Sequence, residues 1–270
     1  MQETSFLSVK QEGSDGSGGV GGWAKSPPVD ALPSHRLNNK LAFCMVERHL
    51  TSRLLYPNPV CILSTTSVEN KVNLMTCSWL TPIDNMGRFF MSMKKSRYSA
   101  KILLESENNE RVFGLSVTVD GMQNLVLSIG SCSGKDTDKI KANNIMMSKF
   151  GWNMISGDKV LNTFNIKQKL LSKDISQCNA KEKRKKIGFA AFEKLQFVEQ
   201  SPVHIIAKVT SIVDDTNEKY DEEQDTSHLK MFCEILFACT NGEVFDTNVY
   251  NPRSNLLTFF GSKKFGVVQS

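Results

Sequence analysis

The chain has 270 residues, 40% of them hydrophobic and 23% charged, with a formal net charge of +5. That length suits one large domain or two small ones, and no apolar run approaches the roughly 18–20 residues that cross a bilayer. The charge is concentrated: residues 181–186, KEKRKK, hold five cations and one anion, whereas 214–225, DDTNEKYDEEQD, hold seven anions and one cation. These are two opposed patches and not a general basic face, so nucleic-acid binding is not expected.

Residues 1–40 are Gly/Ser-rich, carry four cations and four anions, and lack a core-forming pattern; a mobile, dispensable tail is expected. The chain shows no positively charged start followed by an apolar core, so no secretory signal is expected. Order is expected from Leu41, in a domain running to residue 270. The stretch LAFCMVERHLTSRLL reads as a short helix, stopped by Pro57 and Pro59. Strands follow at Val60–Thr66 and Val72–Leu80, then a turn at 84–87 and a strand at Phe89–Met93. A helix is expected over about 97–106, a strand over Val112–Val119, a helix over Met122–Ile129, and another helix from near Asp136. Residues 151–187 break the rhythm and read as an insertion, with KEKRKK as a solvated loop. Strands resume at Val203–Val213 and Leu229–Thr240. About six strands, short helices and no βαβ alternation predict a mainly β fold, a closed six-stranded barrel with accessory helices.

The chemistry concentrates between Asn73 and Ser99. Lys94 and Lys95 lead into a helix start bearing Ser96, Arg97 and Ser99. Hydroxyls, cations and free N–H groups at a helix N-terminus favour a phosphate. Asn73, Thr76 and Ser78 lie among apolar residues on the preceding strand and can hydrogen-bond a flat polar ring. The combination points to a phosphorylated aromatic cofactor against a β-barrel. Trp79 reads as a packing residue.

Other motifs exclude rival chemistries. Gly130-Ser131-Cys132-Ser133-Gly134-Lys135-Asp136 has three residues between its glycines where a P-loop needs four, and Asp136 follows the lysine in place of Ser or Thr. The four histidines, at 35, 49, 204 and 228, show no metal-ligand spacing, so no metal site is expected, and His204 reads as structural. The seven cysteines include no C-x-x-C pair and sit mostly in apolar segments. Reduced, buried thiols in a reducing, cytoplasmic compartment are expected.

The order of motifs resembles the flavin reductase-like family, the FMN-binding split barrels. The resemblance rests on Pro57-Asn58-Pro59-Val60, Asn73 to Trp79, Met91 to Ser99, Phe113-Gly114-Leu115-Ser116-Val117, and Ser133-Gly134-Lys135-Asp136 with Asp138-Lys139. It covers about 57–150 well and 188–250 weakly. It implies a split β-barrel homodimer with one FMN per subunit. By this resemblance Asn73, Met75, Thr76, Cys77 and Ser78 line the isoalloxazine and ribityl chain. Ser92, Lys95, Ser96, Arg97 and Ser99 hold the phosphate, and Lys139 sits near the flavin or the dimer contact. His228 corresponds to a nicotinamide-positioning histidine, although Thr226 and Ser227 stand where the family carries Gly-Asp. The implied activity is FMN-dependent oxidoreduction. NADH or NADPH is the co-substrate and a small molecule the redox acceptor. The alternative is a non-enzymatic FMN-binding protein of the same fold.

Overall fold

The computed structural model describes residues 54–55, 57–106, 111–149, 168–213, 227–240, 244–246, 249–251, 254–261 and 263–267, all within the unit 46–270. The expected tail, residues 41–53 of the helix expected from Leu41 and the acidic run 214–225 lie outside the described residues.

The first half of the unit comprises β1 (Asn58–Pro59), β2 (Cys61–Thr66), β3 (Val72–Cys77), β4 (Leu80–Pro82), β5 (Arg88–Lys94), α1 (Tyr98–Glu105), β6 (Val112–Val117), α2 (Gln123–Ser131), α3 (Lys139–Ala142) and β7 (Met147–Lys149). The second half comprises α4 (168–172), α5 (Ala180–Lys194), β8 (Gln196–Val198), β9 (Val203–Val213), β10 (His228–Thr240), β11 (Phe245–Asp246), β12 (Val249–Tyr250), β13 (Leu257–Gly261) and β14 (Lys264–Val267).

Seven strands form the main sheet, antiparallel throughout, in the order β3-β2-β6-β9-β10-β5-β4. Alternation along β5 sends Phe89, Met91 and Met93 inward and leaves Phe90 and Ser92 outward. Phe113, Leu115 and Val117 of β6 and Met75 and Cys77 of β3 meet them in the central core. Burying a side chain such as Phe113 fully stabilises the fold by about 1.5–3 kcal/mol.

The mainly β reading stands, but the closed six-stranded barrel needs correction. The sheet has seven strands, and no ladder joins its two ends among the described residues. The strand expected over Val72–Leu80 divides after Cys77: Ser78 and Trp79 leave the ladder, and β4 restarts against β5. The two end strands of the curled sheet are therefore consecutive in the chain. Three pairings were not anticipated: the β13–β14 hairpin, paired with β1, the short β7–β8 pair and the two-residue β11–β12 pair.

The basic run is also different from its expected form. KEKRKK opens α5, started by a capping box in which the Asn179 side chain accepts from the Glu182 N–H and Glu182 accepts from the Asn179 N–H. Lys173 donates to both Glu182 oxygens at 3.0 Å, and Arg184 pairs with Glu234 of β10. Further along, Phe189, Ala191 and Leu195 pack with Phe197 and Ile206 in a separate cluster. Gly188 lets Phe237 come close, for a Cβ there would stand 2.2 Å from its ring. Among the described residues no helix is long and apolar enough to cross a membrane. The six described cysteines are free thiols, with Cys61, Cys77, Cys178 and Cys233 buried.

Candidate functional site

Asn73 to Thr76 of β3, with Ser78 just beyond the strand, line a cleft of about 1010 Å³, at the upper end of the roughly 300–1,000 Å³ typical of ligand pockets. The segment Lys94–Ser99 makes one wall, and α2 with the Cys132–Gly134 loop makes another. Phe259, Lys263 and Phe265 of the β13–β14 hairpin complete the lining.

The polar residues of β3 tie these walls together. Asn73 donates from Nδ2 to Ser99 Oγ at 2.7 Å and to Thr65 Oγ1 at 3.3 Å, fastening α1 to the sheet. Thr76 donates to the Val126 carbonyl at 2.8 Å, fastening α2. Lys139, at the start of α3, is buried; its ammonium donates to the carbonyls of Leu74 at 2.9 Å and Ile129 at 2.7 Å. Burial pulls its pKa below the usual lysine value; the Cys132 thiol opposes that shift and Arg97 adds to it. Asp138 caps α3 by accepting from the N–H groups of Ile140 and Lys141, which sets Lys139 beneath the cleft.

Asn73 Oδ1 is buried and has no hydrogen-bond partner. It lies against Gly134, where a Cβ would stand 1.7 Å away; only a glycine lets the loop approach this closely. Across from it α1 begins with Arg97 at the N-cap position, whose side chain makes no cap, and no acidic residue occupies the first turn. The cleft lining contains Lys94, Arg97, Lys139 and Lys263 and no carboxylate. Lys94 and Arg97 beside the start of α1 could hold an anion there. Among the described residues no group of three His, Cys, Asp or Glu side chains could hold a metal ion.

Of the residues singled out in the sequence, Asn73, Met75, Thr76, Ser78, Ser96, Arg97, Ser99 and Lys139 line this cleft. Four others stand apart. Cys77 alternates into the central core, where burial pushes its thiol up to about 12. Ser92 lies on the outer face of β5, its N–H bonded to the Trp79 carbonyl. Lys95 is exposed and outside the lining, which takes Lys94 instead. The His228 ring stacks on Trp79 at 5.1 Å, with Nδ1 3.1 Å from Ser227 Oγ, and its backbone pairs with Lys94. The hairpin residues were missed, though the β-rich run LTFF ending at Gly261 was a usable signal.

Residues 52–161 match the family model described as flavin reductase like domain. The fold is that of several solved structures at low identity. An FMN-binding protein from Thermus thermophilus is 14% identical, with 84% of this chain and 96% of that chain covered and a TM-score of 0.54. Flavoredoxin from Methanosarcina acetivorans is 14% identical, covers 85% and 92%, and gives 0.55. The 2-nitrobenzoate 2-nitroreductase of Pseudomonas fluorescens is 11% identical, covers 85% and 92%, and gives 0.55. No curated protein matches the chain. The match over residues 52–161 agrees with the family resemblance read from the motif order.

Proposed function

We propose that the cleft binds FMN and that the protein is an FMN-dependent oxidoreductase, with NADH or NADPH as electron donor and a small molecule as acceptor. The observation that carries this reading is the cleft itself, with cations and no carboxylate in its lining. Arg97, Ser96 and the first N–H groups of α1 would hold the phosphate. Asn73 Oδ1, a buried acceptor without a partner, suits a ribityl hydroxyl or a ring N–H. Met75, Thr76 and Ser78 would border the ring. When bound, the flavin supplies the hydride and electron chemistry. The residues of this chain bind and orient it, and Lys139 keeps β3 and α2 at a fixed spacing beneath it.

FMN and riboflavin titrations test this reading. A phosphate held by charge-assisted contacts worth roughly 1.5–3 kcal/mol each should make FMN bind well over tenfold tighter than riboflavin. Arg97→Ala should weaken FMN by about one to two orders of magnitude while the fold stays intact. Equal affinity for the two flavins would sink the assignment.

The placement of His228 favours a second reading, an FMN-binding protein without pyridine-nucleotide activity. Its ring stacks on Trp79 and stands outside the cleft lining. Anaerobic addition of NADPH or NADH to the FMN-loaded protein separates the two. Bleaching of the flavin absorbance supports the reductase, and an unchanged spectrum supports the binding protein. If His228 positions the nicotinamide, His228→Ala should slow that bleaching about 10²-fold with FMN affinity unchanged.

A further inference from the structure

A second cavity, of about 590 Å³, shares no lining residue with the first cleft. Its floor is apolar: Ile102 of α1 and Ala191 and Leu195 of α5 are buried there, with Val112 and Ile187 beside them. The short side chains of Ala190 and Ala191 leave the space open where larger ones would fill it. α5 lies beyond residues 52–161, so one wall comes from outside the family match. Polar groups of the lining are engaged. Thr66 donates to the Lys194 carbonyl and Ser106 to the Ile102 carbonyl, both at 2.8 Å. Glu105, the one carboxylate of the lining, pairs with Lys101 at 3.6 Å. Lys194 also lines the cavity, and among the described residues no carboxylate pairs with its ammonium. The Arg111 guanidinium donates to the Ser106 carbonyl at 3.3 Å. Because Ser64 lies opposite Gly114, Thr66, which holds the Lys194 backbone, is level with Val112 and next to Arg111. Lys194 and Arg111 are therefore anchored at the same end of the cavity.

We propose that this second cavity binds a free alkyl carboxylate, its chain on Ile102, Ile187 and Leu195 and its carboxylate on Lys194 and Arg111. An apolar floor with a few polar groups at its edge is the usual form of a small-molecule site, and the volume falls within the usual range. A simple anion would leave the floor in water, and a neutral hydrocarbon would leave the cations unused; an amphipathic monoanion satisfies both. The two sites meet only through shared elements: α1 gives Ser99 to the first cleft and Ile102 to the second. The proposal therefore stands apart from the flavin reading.

The test is calorimetric and needs no turnover. Full-length protein is titrated with octanoate, decanoate and octan-1-ol, with and without FMN, and wild type is compared with Lys194→Gln and Ala190→Phe. Decanoate should bind about tenfold tighter than octanoate, since two more methylenes leave water. Lys194→Gln should weaken octanoate about five- to tenfold, less so at high salt, and leave octan-1-ol unchanged. The backbone carbonyl that Thr66 uses survives that change, so the melting temperature should hold. Ala190→Phe fills the cavity from an exposed helix position and should abolish binding of all three probes. If that variant misfolds, the comparison of octanoate with octan-1-ol in Lys194→Gln still decides. Failure of wild type to bind decanoate saturably, equal affinity for both chain lengths, or an equal loss of octanoate and octan-1-ol in Lys194→Gln would overturn the site. So would displacement of the probe by FMN, which would place it in the first cleft. Failure to bind FMN would overturn the flavin reading alone, because carboxylate binding is measured on the same protein without it.

Discussion

Two residues show how single side chains set the properties of this fold. Gly134 touches Asn73 so closely that any Cβ must displace the amide. Gly134→Ala should cost about 1–3 kcal/mol by overpacking and weaken FMN binding; a denaturant midpoint and an FMN titration check the two effects. His204 is buried, stacked on Phe197 at 4.9 Å, with Nε2 3.1 Å from the Val198 carbonyl and Nδ1 without a partner. Burial lowers its pKa from the usual 6.5. The unfolded chain therefore takes up the proton first as pH falls, so stability should be flat above about pH 7 and decline below about 6.5. His204→Phe should remove that slope, and a slope that persisted would assign the acid sensitivity elsewhere. The structural role of His204 was legible from its place in an apolar strand. The aversion of Cys77 to the cleft was not, because alternation assigns faces only once the strand's register is known.

At the level of elements, most strands were legible from their own residues, since β-branched and aromatic runs ended at turn signals. β9 spans Val203–Val213 as expected, and β10 begins one residue before the expected Leu229. The failures have physical causes. The basic residues of α5 hide a helix whose hydrophobic contacts begin after the charge run, although Asn179 and Glu182 already spelled its cap. β4 is three residues long and ends at Pro82, too short for any pattern to mark. Because Phe189 fills a cluster with Phe197 and Ile206, Phe189→Ala should destabilise by about 3–5 kcal/mol. α5 supplies no residue to the cleft, so FMN affinity measured on the folded fraction should be unchanged. A matching loss of affinity would show that α5 reaches the site through the sheet.

For the whole molecule, the mainly β architecture followed from composition and strand count, but the number and closure of strands did not, because both depend on which distant segments pair. Oligomeric state belongs to this scale too. The outer faces of β5 and β10 present Phe90 edge-on to Phe232 at 5.5 Å, with Phe232 41% exposed and Trp79 nearby 38% exposed. Such apolar surface suits a second copy, and light scattering of the FMN-loaded protein should report twice the 30.2 kDa chain mass; a monomer at micromolar concentration would count against the homodimer. Lys139 has a consequence of a different kind. It takes the Leu74 carbonyl on β3, an end strand of the sheet, while the opposite end strand is short and carries a proline. Exposed strand edges recruit other chains into fibrils and precipitates. By taking that carbonyl, Lys139 fills one acceptor on the outer side of β3. A variant such as Lys139→Met would leave that acceptor unpaired, so if the edge then opens to intermolecular pairing its losses on storage should rise with protein concentration and not with temperature alone.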